Sequence, residues 1–209
     1  MGCSKSILET GNFEINVKRS RFIGSSQRCE SEEEAKSFIR AVSQEHASAS
    51  HSCWAYRISL PGREVANYSD AGEPHGSAGQ PILGAIDRLE LKDVVVVVTR
   101  YFGGVKLGIR GLIDAYGETA LEALKAAKPV MFCPGLELIA EMAYSQWNDF
   151  TRLFREERDF SLQKVDYTDK VVSVIAVRKD EVERIAGFFE ERMISFRFGD
   201  ELSFVSPVE

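Results

Sequence analysis

The chain opens with two alternating stretches, residues 12–17 and 22–28, on either side of the basic turn Lys18-Arg19-Ser20-Arg21, a pattern that predicts paired strands. Ser31 followed three residues later by Glu34 is a capping-box signature. Ala35, Phe38, Ile39 and Val42 then recur at i, i+3, i+4 and i+7, one apolar stripe of a helix. Residues 53–59 predict a strand, Pro61-Gly62 a turn, and 65–68 a partner strand. A polar, glycine-rich loop over 69–80 precedes a short helix at 82–89. Val94 to Val98 is an unbroken β-branched run, the pattern of a strand buried on both faces. A second glycine-rich loop over 100–110 leads into a helix over 111–127, with Leu112, Ala115, Tyr116 and Thr119 on one face.

Pro129 and Pro134-Gly135 interrupt the chain, and the pattern changes after them. A strand over 136–144 is followed by a helix capped by Ser145, with Trp147, Phe150 and Phe154 inward. A hairpin over 161–168 and 170–178 comes next, then a helix opened by Asp180 and Glu183, then a strand over 195–205. That order is βαββαβ, the ferredoxin-like split unit. The expected organisation is α+β in two domains, 1–131 and 135–209, with a protease-sensitive boundary at 128–135.

The charge of -6 is uneven: residues 1–134 hold 16 basic and 16 acidic side chains, whereas 135–209 hold 10 and 16. This is a poor footprint for non-specific nucleic-acid binding, so any RNA contact needs a local basic patch in the first half. The acidic second half suits a protein partner. No apolar run approaches a membrane span, and no signal peptide opens the chain, so a cytoplasmic protein is expected. Cys3, Cys29, Cys53 and Cys133 form no C-x-x-C pair; reduced thiols and no structural zinc follow as expectations. Met1-Gly2-Cys3-Ser4-Lys5-Ser6 fits the N-myristoylation pattern, a match short enough to arise by chance.

Three clusters could carry chemistry. In His51-Ser52-Cys53-Trp54-Ala55-Tyr56-Arg57, strand alternation puts His51, Cys53 and Arg57 on one side. The bulkier Trp54 and Tyr56 take the other side, which is the expected core. A half-buried strand with an inert thiol weighs more than a Cys/His nucleophile pair, since nothing shows the histidine reaching the sulfur. The loop from Asn67 to Pro81 projects Asp70, Glu73 and His75. With His51 and Cys53 these are metal-type residues without ligand spacing, and carboxylates that cap the next helix or pair with arginines are the simpler reading. The third cluster is Arg100-Tyr101-Phe102-Gly103-Gly104-Val105-Lys106-Leu107-Gly108-Ile109-Arg110. It lies between a buried strand and a helix start, where backbone N–H groups favour anions. It is neither a Walker A loop nor G-x-G-x-x-G, and no cofactor motif occurs. Arg100, Tyr101, Gly103, Gly104, Lys106, Gly108 and Arg110 are the candidate anion-binding residues.

Taken in order, His51 to Tyr56, Ser69-Asp70-Ala71-Gly72-Glu73-Pro74 with Gly76-Ser77-Ala78-Gly79, and Arg100 to Gly108 resemble the YigZ/IMPACT family. The resemblance implies a first domain like domain IV of elongation factor G and the second domain of a small-subunit ribosomal protein. It implies a second domain like domain V of that factor. Its eukaryotic members act in translational control, so RNA, the ribosome or a translation factor is the implied partner. A hydrolase using the His51/Cys53/Asp70/Glu73/His75 surface and a pure protein-interaction module are the alternatives. The chain departs from the family at Ala71, at Ile109-Arg110 and at Asp114, where acidic, small-plus-glycine and basic residues are usual.

Overall fold

The computed structural model describes residues 2–208, so Met1 of the acylation pattern lies outside the described residues. The chain separates into two compact units, residues 5–129 and residues 130–209 with 1–4.

The chain opens with the short strand β1 (Ser4–Ile7), which belongs to the sheet of the second unit. The first unit's own sheet starts with β2 (Gly11–Val17) and β3 (Ser20–Arg28), an antiparallel pair closed by the basic turn. Helix α1 (Glu32–Glu45) follows, with the Ser31 hydroxyl accepting from the Glu34 N–H at 3.2 Å. The Glu34 carboxylate accepts from the Glu30 N–H at 2.8 Å, one residue earlier than an ideal capping box. Then come β4 (His51–Leu60), β5 (Arg63–Ser69), α2 (Gly79–Arg88), β6 (Val94–Tyr101) and α3 (Gly108–Ala126). The sheet runs β2-β3-β6-β4-β5, each neighbour antiparallel. Every residue from Val94 to Val98 is fully buried because helices cover both faces of the central strand β6.

Alternation sorts the two cores. Val94, Val96, Val98, Cys53 and Ala55 join Ile82 of α2 and Tyr116 of α3 on one face. Val95, Tyr56 and Ile58 pack with Ala35 and Phe38 of α1 on the other. The bulky side of β4 is core as expected, but the Cys53 side is core as well, and the larger one. Two helices pack there, and small residues let them approach.

The second unit contains β7 (Pro129–Met142), α4 (Tyr144–Leu153), β8 (Phe160–Tyr167), β9 (Val171–Arg178), α5 (Val182–Glu191) and β10 (Ser195–Pro207). Its sheet is five-stranded: β10, β7, β9 and β8 follow the antiparallel order of a ferredoxin-like βαββαβ fold, and β1 also pairs with β7. Trp147, Phe150 and Phe154 of the α4 segment meet Phe188 and Phe189 of α5 over Leu138 and Ile175 of the sheet. Two local expectations change. From Pro129 onward strand β7 runs through the stretch 128–135 expected to hold the domain boundary, because β10 pairs along it as far as Val130. Helix α4 begins before Ser145, with the Gln146 side chain accepting from the Ala143 N–H at 2.8 Å.

The expectation of four reduced thiols is corrected by a Cys3–Cys133 disulfide, with Cα atoms 4.1 Å apart. Residues 130 apart in sequence carry no spacing signal for such a pair; the fold alone brings them together.

Candidate functional site

The three glycine-rich and polar clusters of the first unit meet at the ends of β4 and β6. Asp70 organises the loop between β5 and α2. Its carboxylate accepts from the backbone N–H groups of Gly76 (2.8 Å), Ala78 (3.1 Å) and Gly79 (2.8 Å), the last two at the start of α2. Burial opposes the charge on Asp70, but the three N–H donors outweigh it and hold the carboxyl below the usual range. Ala71, in the left-handed region at φ +43°, and Gly72 at φ +89° turn the loop tip back. The carbonyl oxygens exposed by that turn receive the β4 side chains. The Cys53 thiol donates to Asp70 O at 2.9 Å, and His51 Nδ1 lies 2.9 Å from Ala71 O.

Glu73 and Arg100 form the centre. Their side chains are 4% and 7% exposed, and Arg100 Nη1 donates to Glu73 Oε1 at 2.6 Å. Tyr116 of α3 donates its hydroxyl to the same oxygen at 2.9 Å, and Arg100 Nη2 donates to the Ser20 hydroxyl at 3.3 Å. The guanidinium is flanked by Phe22 at 5.5 Å and Phe102 at 5.2 Å from ring centroid to Cζ. Burial and neighbouring carboxylates push the Cys53 thiol up to about 12, with a Tyr116 hydrogen bond only partly opposing them. The same burial raises the Tyr116 hydroxyl above its ordinary value. A thiol this reluctant to ionise is a poor nucleophile at neutral pH.

His75 is 93% exposed, its Nδ1 3.7 Å from Asp70 Oδ2. Of the five polar-surface residues, Cys53, Asp70 and Glu73 are engaged inside the protein, and His51 and His75 remain at its edge. Among the described residues no group of three or more His, Cys, Asp or Glu side chains is arranged to hold a metal ion.

The loop after β6 has a different character. Tyr101 lies with its hydroxyl 3.0 Å from His46 Nδ1 and its ring beneath Arg21 at 5.1 Å. Gly104 and Gly108 take φ of +83° and +78°, which lets the chain reverse into α3. No side chain caps that helix, so its first N–H groups stay available. Lys106 is exposed without a carboxylate partner among the described residues, and Arg110 pairs along the helix with Asp114 at 3.1 Å. A cavity of about 490 Å³ sits here, lined by His51, Arg100, Phe102, Lys106, Gly108 and Ile109 among others. Phe102 is 48% exposed.

Sequence reasoning did not connect this loop with the basic turn between β2 and β3. Gly103 lies so close to that turn that a Cβ atom on it would come within 1.8 Å of the Arg19 carbonyl oxygen. Lys18 and Arg19 are exposed there, again without carboxylate partners among the described residues. No sequence signal marked this approach, because it follows from the antiparallel pairing of β3 with β6, which periodicity does not encode.

Comparison with known proteins places these features in a wider group. The Impact N-terminal domain family model matches residues 18–124. The chain is 34% identical to the IMPACT family member YvyE of Bacillus subtilis over 89% of this chain and 85% of that protein. It is 35% identical to the IMPACT family member YigZ of Escherichia coli, over 62% of this chain and 64% of that protein. A crystal structure described only as that of a hypothetical protein superposes with a TM-score of 0.62 at 26% identity, covering 100% of this chain and 98% of the other.

Proposed function

This chain belongs to the YigZ/IMPACT family, and from that premise we propose that it is a non-enzymatic, translation-linked protein whose first unit binds RNA. The ribosome supplies that RNA in the simplest case, in the cytoplasm. The observation that carries the reading is the close approach of the exposed Lys18–Arg19 turn to Gly103, in the loop that bears the exposed Phe102 ring and Lys106 and leads into the uncapped helix α3. Lysine and arginine neutralise phosphates, free N–H groups at a helix start donate to anions, and an exposed ring stacks unpaired bases. This is the local basic patch that a neutral half-chain needs. The engagement of Cys53, Asp70 and Glu73 in internal bonds favours this reading over a hydrolase.

The test is binding of a single-stranded RNA oligomer, and co-sedimentation with ribosomes, across a salt series. Arg19→Ala with Lys106→Ala should weaken binding and lower the slope of log K against log salt by roughly 0.7 for each phosphate that is no longer neutralised. Both residues are exposed, so the melting temperature should not move. Parental binding by this double variant at low salt would remove the RNA reading. Docking of a protein partner, for which the acidic second unit is suited, would then lead.

A further inference from the structure

The second unit carries 16 acidic against 10 basic side chains, yet four of its arginines converge on one hollow. Arg155 and Arg158 come from the turn between α4 and β8, Arg178 from the end of β9, and Arg184 from the first turns of α5. With Asp159 and Glu181 they line a cavity of about 510 Å³.

The buried Asp159 holds the cluster together. Its carboxylate accepts from the Arg155 backbone N–H at 2.8 Å and from Arg184 Nη2 at 2.9 Å, and Arg158 Nε lies 3.9 Å away. Glu181 is shared between Arg184 Nε (2.5 Å) and Arg178 Nη2 (3.6 Å), and Asp180 takes Arg178 Nε. The Arg184 guanidinium also lies over Phe154, 4.8 Å from the centroid. Four guanidinium groups thus meet three carboxylates, and the Arg155 side chain has no partner among the described residues. Glu156 and Glu157 do not line this cavity but an adjoining hollow, which Arg155, Arg158 and Arg178 also border; neither glutamate forms an ion pair with those arginines among the described residues. Arginines drawn this close repel one another. The pairs with Asp159, Asp180 and Glu181 offset that repulsion for Arg178 and Arg184, and leave Arg158 with only its long contact to Asp159 and Arg155 with no carboxylate.

We propose that this cavity binds a compact oligophosphate, a pyrophosphate group or the diphosphate of a small metabolite. Guanidinium forks match phosphate oxygens two at a time, and several forks at one point favour a ligand with several charges in a small volume. A cavity of this size is typical of small-ligand sites. A long nucleic-acid backbone fits the surroundings poorly, because beyond the four arginines it would cross a predominantly acidic surface. The site lies wholly within the second unit and is independent of the RNA reading above.

The test is isothermal titration of the full-length protein with inorganic pyrophosphate at low and moderate salt, with an RNA oligomer as competitor. Saturable binding is expected, weakened at least tenfold by Arg155→Gln with Arg158→Gln and unchanged by Lys106→Ala. A melting curve confirms folding, and since both arginines are exposed it should match the parent. Arg184→Lys, which keeps a charge opposite Asp159 but removes the fork, should give an intermediate affinity. No saturable binding of pyrophosphate, or equal binding by the double variant, overturns the proposal. So does loss of RNA binding by the double variant with pyrophosphate binding intact.

Discussion

Two arginine sites in this protein use the same chemistry to opposite ends. In the first unit Arg100 is enclosed by Glu73, Tyr116, Ser20 and two aromatic rings. In the second unit four arginines surround fewer carboxylates and face an open hollow. Where the charges balance and water is excluded, the pair is structural: it ties the loop after β5 to the end of β6. Where guanidinium groups outnumber carboxylates and solvent reaches them, the surplus is available to a ligand. Arginine content would not tell these sites apart; charge balance and burial do.

The comparison can be broken most severely at Glu73. Glu73→Leu leaves Arg100 buried without its counter-charge and should destabilise the protein by about 3–5 kcal/mol. Glu73→Leu with Arg100→Met removes both charges and should recover much of that loss, so chemical denaturation of the two variants measures whether the pair is structural. Equal stability of the parent and Glu73→Leu would dissolve the contrast.

A smaller effect is expected at Asp70. Asp70→Asn turns a carboxylate that accepts three N–H bonds into an amide with one acceptor oxygen, at a cost of roughly 1–3 kcal/mol. The folded state holds this carboxyl below its usual range. Its contribution is therefore fully present above the ordinary aspartate value of about 4 and is lost as pH falls through the depressed folded value. Denaturation midpoints measured from neutral to acid pH should show the parent's advantage over Asp70→Asn shrinking toward zero in acid. A constant difference across that range would remove the charge from the explanation.

The smallest effect sharpens the other half of the comparison. Arg158→Gln should change stability by no more than about 0.5 kcal/mol, because its side chain is 70% exposed and its nearest carboxylate oxygen is 3.9 Å away. A loss of several kcal/mol on denaturation would make the open cluster as structural as the closed one.

Much of the architecture was legible from the pattern of apolar positions. The all-valine run from Val94 to Val98 announced a strand covered on both faces, and the phenylalanines and tryptophan of α4 announced their inward side. The βαββαβ order followed from counting elements. These readings succeed because side-chain periodicity is a local consequence of helix and strand geometry. The site was legible in its parts. Asp70 stood in a loop before a helix, where an acceptor of backbone N–H groups is expected, and the glycines between Arg100 and Arg110 marked a sharp reversal. The short strand β1 was not legible, because four residues are too few to show a period.

Tertiary structure alone decided which parts meet. Arg100 takes Glu73 rather than Asp70 because the loop tip at Ala71 and Gly72 turns Asp70 toward the start of α2. The Lys18–Arg19 turn reaches Gly103 through the pairing of β3 with β6, and Cys3 reaches Cys133 across 130 residues. Arg155, Arg158, Arg178 and Arg184 share a hollow because the ferredoxin-like order brings the end of β9 and the start of α5 beside the turn that precedes β8. Local patterns reflect the backbone geometry of a few adjacent residues. Charge balance at a point in space depends on strand register and helix packing, which no single stretch of sequence encodes.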